Sequence, residues 1–321
     1  MKKTIIKKRN KMGFFGSKNK VEDNLKKSIL EILNTPVENI MSKYVISVQK
    51  NDALMHAADI IVGEKVSCVL VKDGEVPVAV LTERDFLKKA PLDKKKLTEL
   101  NVSNLMSSKL ITISPETTID QAITMLVKNN FRKLVVAKNR EIVGIVTQTD
   151  FVRLFDKFFE TLTIKTSDLL LIDKIMTKNI EKINEGATFS EAKNQMANKN
   201  IGSIIIMKED LLLGIITEYD VVDQIVYDTE KCNSKKVEDI MISPVMVVNK
   251  DLNIFDANRI MIMDNVRRLP VAEENKLLGI ITQTDICRSI FYFLKATLWH
   301  LEKGDLKIEK LEKKVVEKRL L

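Results

Sequence analysis

A segment of about 65 residues occurs four times along this chain of 321 residues, and this repetition constrains the fold more than any other feature. Each copy opens with an apolar residue followed by Met and closes with a strand-like run that leads into Thr-x-x-Asp. The Met and the Thr are 41 residues apart in every copy, and successive copies are offset by 65, 70 and 65 residues. Copies one and two therefore map onto copies three and four by one shift of 135 residues. The landmarks are Met41 with Thr82, Met106 with Thr147, Met176 with Thr217, and Met241 with Thr282.

The pattern inside each copy predicts a fixed order of secondary structure. In copy two, residues 110–113 alternate as a strand does, and a turn with Ser114-Pro115 follows. Residues 117–131 then place their apolar side chains on one helical face. Two strands flank a polar turn at Asn139-Arg140, and residues 151–159 read as a last helix. The predicted fold is α/β (α+β), with the order β-α-β-β-α occurring four times.

The repeat resembles the CBS domain, a regulatory module first named for cystathionine β-synthase, and the resemblance covers about residues 36–292. A unit of this size buries only about 60% of its unfolded surface and is marginal alone. The resemblance implies that two repeats pack sheet against sheet into a Bateman-type module. Repeats one and three have small residues before the middle strand, whereas two and four have a basic pair, so the expected modules join one with two and three with four. The expected repeats are residues 36–90, 101–156, 171–229 and 236–292.

The Thr-x-x-Asp segments have two interpretations. A Thr followed three residues later by an acid at a helix start is close to a capping box, in which Thr147 caps free backbone N–H groups and Asp150 reaches back. Such a cap needs no ligand, and duplication copies a cap as readily as a binding site. An ionised Asp one turn into a helix can also accept two hydrogen bonds from a vicinal diol such as ribose. The motif alone leaves both interpretations open.

Further residues favour the ligand interpretation. Gly144, Gly214 and Gly279 precede the Thr by three residues and allow another group to approach the backbone closely. The basic pairs Arg132-Lys133 and Arg267-Arg268 stand just before a strand and can neutralise a phosphate. A solvated surface pair is the ordinary alternative for these bases.

The family resemblance implies specific binding residues for an adenosine-type ligand. It implies ribose binding by Asp150, Asp220, Asp285 and Asp85. It implies phosphate-side contacts from Thr147, Thr217, Thr282 and Thr82, to which the residues themselves add Arg132, Lys133, Arg267 and Arg268. It implies an adenine pocket lined by the first strands, at Ile46, Ile111, Ile180 and Met246. These apolar residues are equally plausible as ordinary core.

Two repeats depart from the family pattern. Repeat one has Ala79 where Gly is usual, which makes Thr82 and Asp85 the weaker site. Repeat three has Glu181 in its first strand, and a charge there is unfavourable against a buried base. We therefore expect the third site to be altered or empty.

The flanks differ from the repeats in charge and pattern. Residues 1–20 contain eight bases and no acid, so the net charge of +8 is concentrated there, and residues 1–21 are expected to form a disordered basic tail. The balanced remainder gives no strong case for nucleic-acid binding. Residues 22–35 are predicted to form an amphipathic helix. Residues 293–321 are predicted to form a helical extension that packs on its own module or forms a dimer through residues at coiled-coil-like spacing, Ile308, Leu311 and Val315.

The sequence offers little for catalysis. It has two histidines, His56 and His300, no glycine-rich phosphate loop, and no cysteine or histidine spacing typical of a metal site. We expect no catalytic residue, no metal and no catalytic cofactor. Since no window is long and apolar enough for a signal peptide or a transmembrane segment, we expect a cytoplasmic protein.

The expected function is that of a regulatory sensor. It would bind AMP, ADP or ATP and pass its occupancy to an unknown effector protein or to its own oligomer, expected to be a homodimer. One alternative is a scaffold whose Thr-x-x-Asp segments are only caps. Another is a binder of S-adenosylmethionine or a related adenosyl compound, although the basic pairs favour nucleotides.

Overall fold

The computed structural model describes residues 10–107, 110–139, 141–161, 170–227, 233–274 and 276–319. The elements of repeat one are β1 (Ser47–Gln49), α2 (Leu54–Gly63), β2 (Cys68–Asp73), β3 (Val76–Thr82) and α3 (Glu83–Lys89), preceded by α1 (Asn10–Asn34). After α4 (Lys94–Thr98) and α5 (Val102–Leu105), repeat two contains β4 (Thr112–Ile113), α6 (Ile119–Asn129), β5 (Lys133–Lys138), β6 (Glu141–Thr147) and α7 (Gln148–Thr161). Repeat three contains β7 (Lys182–Asn184), α8 (Phe189–Asn198), β8 (Ser203–Lys208), β9 (Leu211–Thr217) and α9 (Glu218–Tyr227). Repeat four contains α10 (Ile254–Met263), β10 (Arg268–Glu273), β11 (Lys276–Thr282) and α11 (Gln283–Lys303), and α12 (Ile308–Arg319) follows.

Each of the first three repeats forms a three-stranded sheet with one topology. The short first strand runs parallel to the middle strand, which pairs antiparallel with the last strand. In repeat four the first strand is reduced to one parallel bridge between Val248 and Val271. The predicted α/β class and repeat order are confirmed, with this one shortened strand as the difference. The strands also begin after the apolar residues Ile46, Ile111 and Ile180, so these residues precede the sheet rather than lie in it.

The opening segment of each repeat packs on the other repeat of its pair. Ser42 exchanges two backbone hydrogen bonds of 2.9 Å with Ile145, and the Ser107 N–H donates to the Val80 carbonyl at 3.0 Å. The same exchange joins Thr177 with Ile280 and Ile242 with Ile215 in the second half of the chain. The predicted modules, one with two and three with four, are therefore confirmed.

The glycines before each last strand serve this pairing. A Cβ on Gly144 would lie 2.6 Å from Met41 Sδ and 2.9 Å from the Ser42 carbonyl oxygen, which is too close for any side chain. Gly214 meets Met241 in the same way, and Gly279 meets Met176. The close approach that the sequence suggested for a ligand is thus made by the opening Met of the paired repeat.

The two modules pack so that repeat one faces repeat three and repeat two faces repeat four. Helices α2 and α3 contact α8 or α9, and α6 and α7 contact α10 or α11. One apolar core lies between repeats one and three, and a second lies between repeats two and four. The sheets of repeats three and four share a third, smaller cluster.

Both terminal helices pack on the side of repeats two and four. The helix α1 contributes buried Ile29, Ile32 and Leu33, and it contacts α6 and α11. It begins at Asn10, so the prediction of a disordered tail over residues 1–21 is wrong for residues 10–21, and residues 1–9 lie outside the described part. Because a nucleated helix adds one hydrogen bond for each further residue, the packed turns extend the helix toward the amino terminus.

The carboxyl-terminal extension folds back on the protein. Gly304 ends α11 in the left-handed conformation, with φ of +64°, and α12 then packs along α11 with Leu311 and Val315 buried. The Glu312 carboxylate accepts hydrogen bonds from Lys174 Nζ and from the Leu170 N–H. The side chains of Leu311 and Val315 are thus covered by the protein itself, in agreement with the first of the two predicted roles, and the homodimer stays a prediction. Among the described residues, no helix has the length and apolar character needed to cross a bilayer.

Candidate ligand site at the meeting point of the four repeats

A cavity of about 1200 Å³ lies where the four repeats meet. Predicted site residues that line it are Thr82, Asp85, Ile111, Arg132, Lys133, Thr147, Thr217, Asp220, Met246, Arg267 and Arg268. Predicted residues outside its lining are Ile46, Asp150, Ile180, Thr282 and Asp285. Both members of the Thr–Asp pair line the cavity in repeats one and three. The sequence analysis predicts the weaker site for repeat one and an altered or empty site for repeat three.

In all four Thr–Asp pairs the Thr donates two hydrogen bonds to the Asp carboxylate. In repeat three, the Thr217 backbone N–H donates to Asp220 Oδ2 at 2.7 Å and the Thr217 hydroxyl donates to the same oxygen at 2.8 Å. The pairs of repeats one, two and four do the same at 2.7–3.0 Å. The carboxylate half of the capping box is therefore present in every repeat, including repeat one with Ala79, and in repeats one and four the Thr hydroxyl also accepts from the Asp backbone N–H at 3.3 Å. In repeat three the cap engages only Oδ2, so it does not exclude a second role for Oδ1 of Asp220.

Burial makes two of these carboxylates sensitive to their surroundings. Burial raises the pKa of Asp150 and of Asp220, although the hydrogen bonds from Thr147 and Thr217 oppose the shift. A desolvated carboxylate gains more from an added hydrogen-bond donor than an exposed one does. Since Asp220 also lines the cavity, it is placed to accept the hydroxyl groups of a diol.

Each candidate site combines residues from two repeats. Ser107, Leu110 and Ile111 of repeat two line the cavity together with Thr82 and Asp85 of repeat one. The hydrogen bond from Ser107 to Val80 causes this arrangement. In the second module the residue pair Val245-Met246 of repeat four lies with Thr217 and Asp220 of repeat three, because Ile242 bonds to Ile215.

This exchange corrects the expectation for Glu181. The opening segment of repeat three bonds to Ile280 of repeat four, so Glu181 is not part of the site that contains Asp220. Glu181 instead accepts a hydrogen bond from Gln195 Nε2 at 2.9 Å and pairs with Lys199 at 3.6 Å, both on its own repeat. Its charge is therefore compensated at the surface, and it gives no reason to regard the third site as altered.

One arginine of each predicted basic pair binds an acid of the cavity lining that the sequence analysis missed. Arg267 Nη2 donates to both carboxylate oxygens of Glu83 at 2.9 Å. Arg132 Nη1 donates to Glu218 Oε2, and Arg84 Nε donates to Glu218 Oε1 at 2.7 Å. Lys133 Nζ donates to the Ser67 hydroxyl at 2.8 Å, and Arg268 donates to the Gly202 carbonyl.

The sequence does contain a signal for these acids, because the residue that follows each Thr alternates between Glu and Gln. That residue is Glu83 in repeat one, Gln148 in repeat two, Glu218 in repeat three and Gln283 in repeat four. Where the glutamines stand, neutral bonds replace ion pairs. The Thr149 hydroxyl donates to Gln283 Oε1 at 2.9 Å, and the Thr284 hydroxyl donates to Gln148 Oε1 at 2.7 Å.

Burial and the neighbouring charges shift the pKa values of Glu218 and Arg268. Burial disfavours the charged form of Glu218, but the positive charges of Arg132, Arg84 and Arg268 outweigh it and lower the pKa of Glu218 to about 2. Burial lowers the pKa of Arg268 to about 10, and the neighbouring Arg267 and Arg132 add to this effect against the attraction of Glu218. Glu218 is 1% exposed and Glu83 is 3% exposed, so the negative charge of both carboxylates is compensated by the guanidinium groups rather than by water.

The histidines lie elsewhere. His56 is exposed on α2, and His300 is buried near the end of α11 with Nδ1 2.7 Å from Asp305 Oδ1. Neither lines the central cavity. Within the described ranges, no group of three or more His, Cys, Asp or Glu side chains is arranged to hold a metal ion.

Comparison with known proteins identifies the family. A sequence model of the CBS domain matches residues 37–91, 102–157, 172–227 and 237–292. Because these four matches span more than half of the chain, the protein belongs to the CBS-domain family, with its four domains arranged as two Bateman-type modules.

Relatives with this similarity occur in archaea. Protein MJ1225 of Methanocaldococcus jannaschii is 29% identical over 215 residues, which are 63% of this chain and 74% of that protein. Protein MJ1404 of the same organism is 26% identical over 288 residues, 84% of this chain and 65% of that protein. The crystal structure of MJ1225, which is described as a proposed archaeal homologue of g-AMPK, superposes on this chain with a TM-score of 0.71 and 19% identity. The match covers 80% of this chain and 100% of the MJ1225 chain. A Pyrococcus horikoshii protein with the same coverage has a TM-score of 0.54 and 17% identity, so both structures share the fold.

Proposed function

We propose that this protein is a regulatory sensor that binds an adenine nucleotide in the central cavity. The observation that carries the proposal is the lining of that cavity, which combines three chemistries. Apolar residues such as Ile111 and Val245 can cover a base, Asp85 and Asp220 can accept the hydroxyls of a ribose, and guanidinium groups can bind phosphate.

The charge of the lining favours a nucleotide over S-adenosylmethionine. Nine basic and five acidic side chains line the cavity, so it attracts an anionic ligand. The sulfonium group of S-adenosylmethionine is positive and gains nothing from this excess. The electrostatic attraction to this lining increases from AMP to ADP to ATP, because the negative charge of the nucleotide increases in that order.

The regulatory part of the proposal follows from the position of the site. Since the cavity is lined by both modules, a ligand there contacts each of them and favours the module packing that fits it best. An effector protein that binds one packing then responds to ligand occupancy. We propose no catalytic reaction for this site.

The first test is isothermal titration of the nucleotide-stripped protein with AMP, ADP, ATP and S-adenosylmethionine. We expect saturable binding of at least one nucleotide, weakened about ten- to hundredfold by Asp220→Ala. The matched control is Glu191→Ala, which removes the equivalent Thr188–Glu191 capping box from the exposed start of α8, away from the cavity. Both variants lose a cap, but only Asp220→Ala should lose affinity.

The outcomes separate the sensor from a scaffold. Equal effects of Asp220→Ala and Glu191→Ala, or no binding of any of the four compounds, would contradict the sensor and favour a scaffold in which Thr-x-x-Asp is only a cap. Light scattering with and without nucleotide tests whether the response includes a homodimer.

A further inference from the structure

Three ion pairs in the lining of the central cavity join one module to the other. Arg84 and Arg132 belong to the module of repeats one and two, and both bind Glu218 of repeat three. Arg267 of repeat four binds Glu83 of repeat one through both carboxylate oxygens. Every one of these pairs therefore crosses the interface between modules.

The same arginines are the strongest anion-binding groups that the cavity offers. The side chains of Arg84, Arg132 and Arg267 are 27%, 36% and 37% exposed, so they face the open space, whereas the carboxylates are almost completely buried behind them. A guanidinium has a limited set of N–H donors, arranged as a fork that fits one carboxylate or one phosphate edge at a time. A ligand phosphate and a glutamate therefore compete for the same donors.

We propose that Glu218 and Glu83 act as internal competitors for the anionic group of the ligand, so that binding of an anion exchanges away the ion pairs that join the modules. The proposal rests on the proposed function, and it adds how occupancy of the cavity is coupled to module packing. Ligand binding then weakens the contacts that Glu83 of repeat one and Glu218 of repeat three make with the opposite module, while the apolar core between these repeats remains. The side of repeats two and four has Gln148 and Gln283 at the same positions, and their neutral hydrogen bonds do not compete with a phosphate.

The test compares charge-neutral variants that keep the side-chain shape. Glu218→Gln and Glu83→Gln remove one competitor each, and Asp264→Asn is the matched control because Asp264 lines the cavity without an ion pair to these arginines among the described residues. Isothermal titration with AMP, uncharged adenosine and inorganic pyrophosphate measures the anion contribution separately. Circular dichroism checks that each variant is folded, and Glu83→Gln replaces Glu218→Gln if the latter is not.

We expect Glu218→Gln to bind AMP and pyrophosphate about tenfold more tightly than the unaltered protein, with adenosine affinity unchanged. Asp264→Asn, with the same change in net charge, should change anion affinity less than threefold. Hydrogen exchange at residues 83–89 and 218–227 should increase when AMP binds the unaltered protein, and should already be raised in ligand-free Glu218→Gln.

The outcomes distinguish this proposal from the proposed function. If AMP and adenosine bind no variant but Glu218→Gln gains pyrophosphate affinity, the internal competition stands and the adenine-nucleotide function is wrong. If both glutamate variants change pyrophosphate affinity no more than Asp264→Asn does, the internal competition is overturned whether or not AMP binds.

Discussion

The side of the molecule where repeats one and three meet differs from the side where repeats two and four meet. On the first side, buried Glu83 and Glu218 bind arginines of the opposite module. On the second side, Gln148 and Gln283 take the same helix positions and accept hydroxyl hydrogen bonds. The second side also contains a cluster of Phe rings and both terminal helices.

This difference shows that a duplicated unit can keep the contacts that pair repeats within a module while the contacts between modules change. The contacts that pair repeats within a module recur in both halves of the chain, because every repeat needs a partner to bury its sheet. The contacts between modules have diverged. Both sides have an apolar core, which a small anion cannot displace, but only the side of repeats one and three adds buried glutamates whose ion pairs with the opposite module lie within reach of an anion.

The largest effect is expected from the aromatic cluster. Phe255 is 5% exposed, and its ring centroid lies 4.2 Å from that of Phe159 and 5.9 Å from that of Phe293. We expect Phe255→Ala to lower the free energy of unfolding by about 3–5 kcal/mol, measured by urea denaturation. Met263→Ala, at the end of the same helix with 77% exposure, is the control and should change stability by less than about 0.5 kcal/mol. Similar small losses in both variants would contradict a stabilising role of the Phe cluster on the side of repeats two and four.

A somewhat smaller loss is expected from the ionic side. Glu218→Gln leaves Arg84 and Arg132 without a negative partner, so we expect a loss of about 3 kcal/mol in the ligand-free protein. The control is Glu181→Gln, whose pair with Lys199 is partly exposed. A loss no larger than that of the control would show that the central ion pairs do not hold the modules together.

The pH dependence should reveal the same ion pairs. Since the pKa of Glu218 is lowered from 4.5 to about 2, its contribution to stability is complete above pH 4.5 and is lost as the pH falls toward 2. Burial raises the pKa values of Asp150 and Asp220, so the pH dependence of their contribution to stability is reversed. Their contribution is present at low pH and is lost as the pH rises through the raised pKa values. We therefore expect the stability gap between the unaltered protein and Glu218→Gln to narrow steadily in thermal denaturation as the pH falls from 4.5 to about 2. A gap that is constant with pH would contradict the assignment.

The smallest effect concerns an ion pair on the other side. Lys295 Nζ lies 2.8 Å from Asp120 Oδ1 and also joins the two modules, but the side chains are 46% and 32% exposed. Because exposed ion pairs contribute little, Lys295→Met should change the free energy of unfolding by less than about 1 kcal/mol. A loss as large as that of Glu218→Gln would remove the distinction between a buried and an exposed pair on which the comparison depends.

Much of the fold could be predicted from local pattern. The helix over residues 117–131 and the strands around Thr147 were predicted because hydrophobic periodicity depends on residues two to four positions apart. The Thr–Asp caps were predictable for the same reason, since both partners lie within one turn. The role of Gly144 could not be predicted in this way, because its close neighbour Met41 belongs to the paired repeat. The surroundings of Glu181 could not be predicted either, because only the packing of the repeats shows that Glu181 lies apart from Asp220 and beside Gln195.

The sequence by itself determined the repeat, its spacing and the residues that define the CBS family, because each is written in patterns along the chain. Tertiary structure alone decided which residues share a site. The opening segments cross to the paired repeat, and Arg267 meets Glu83 across 184 positions of sequence. Contacts at such separations depend on how the modules pack, and the same local pattern is compatible with many packings.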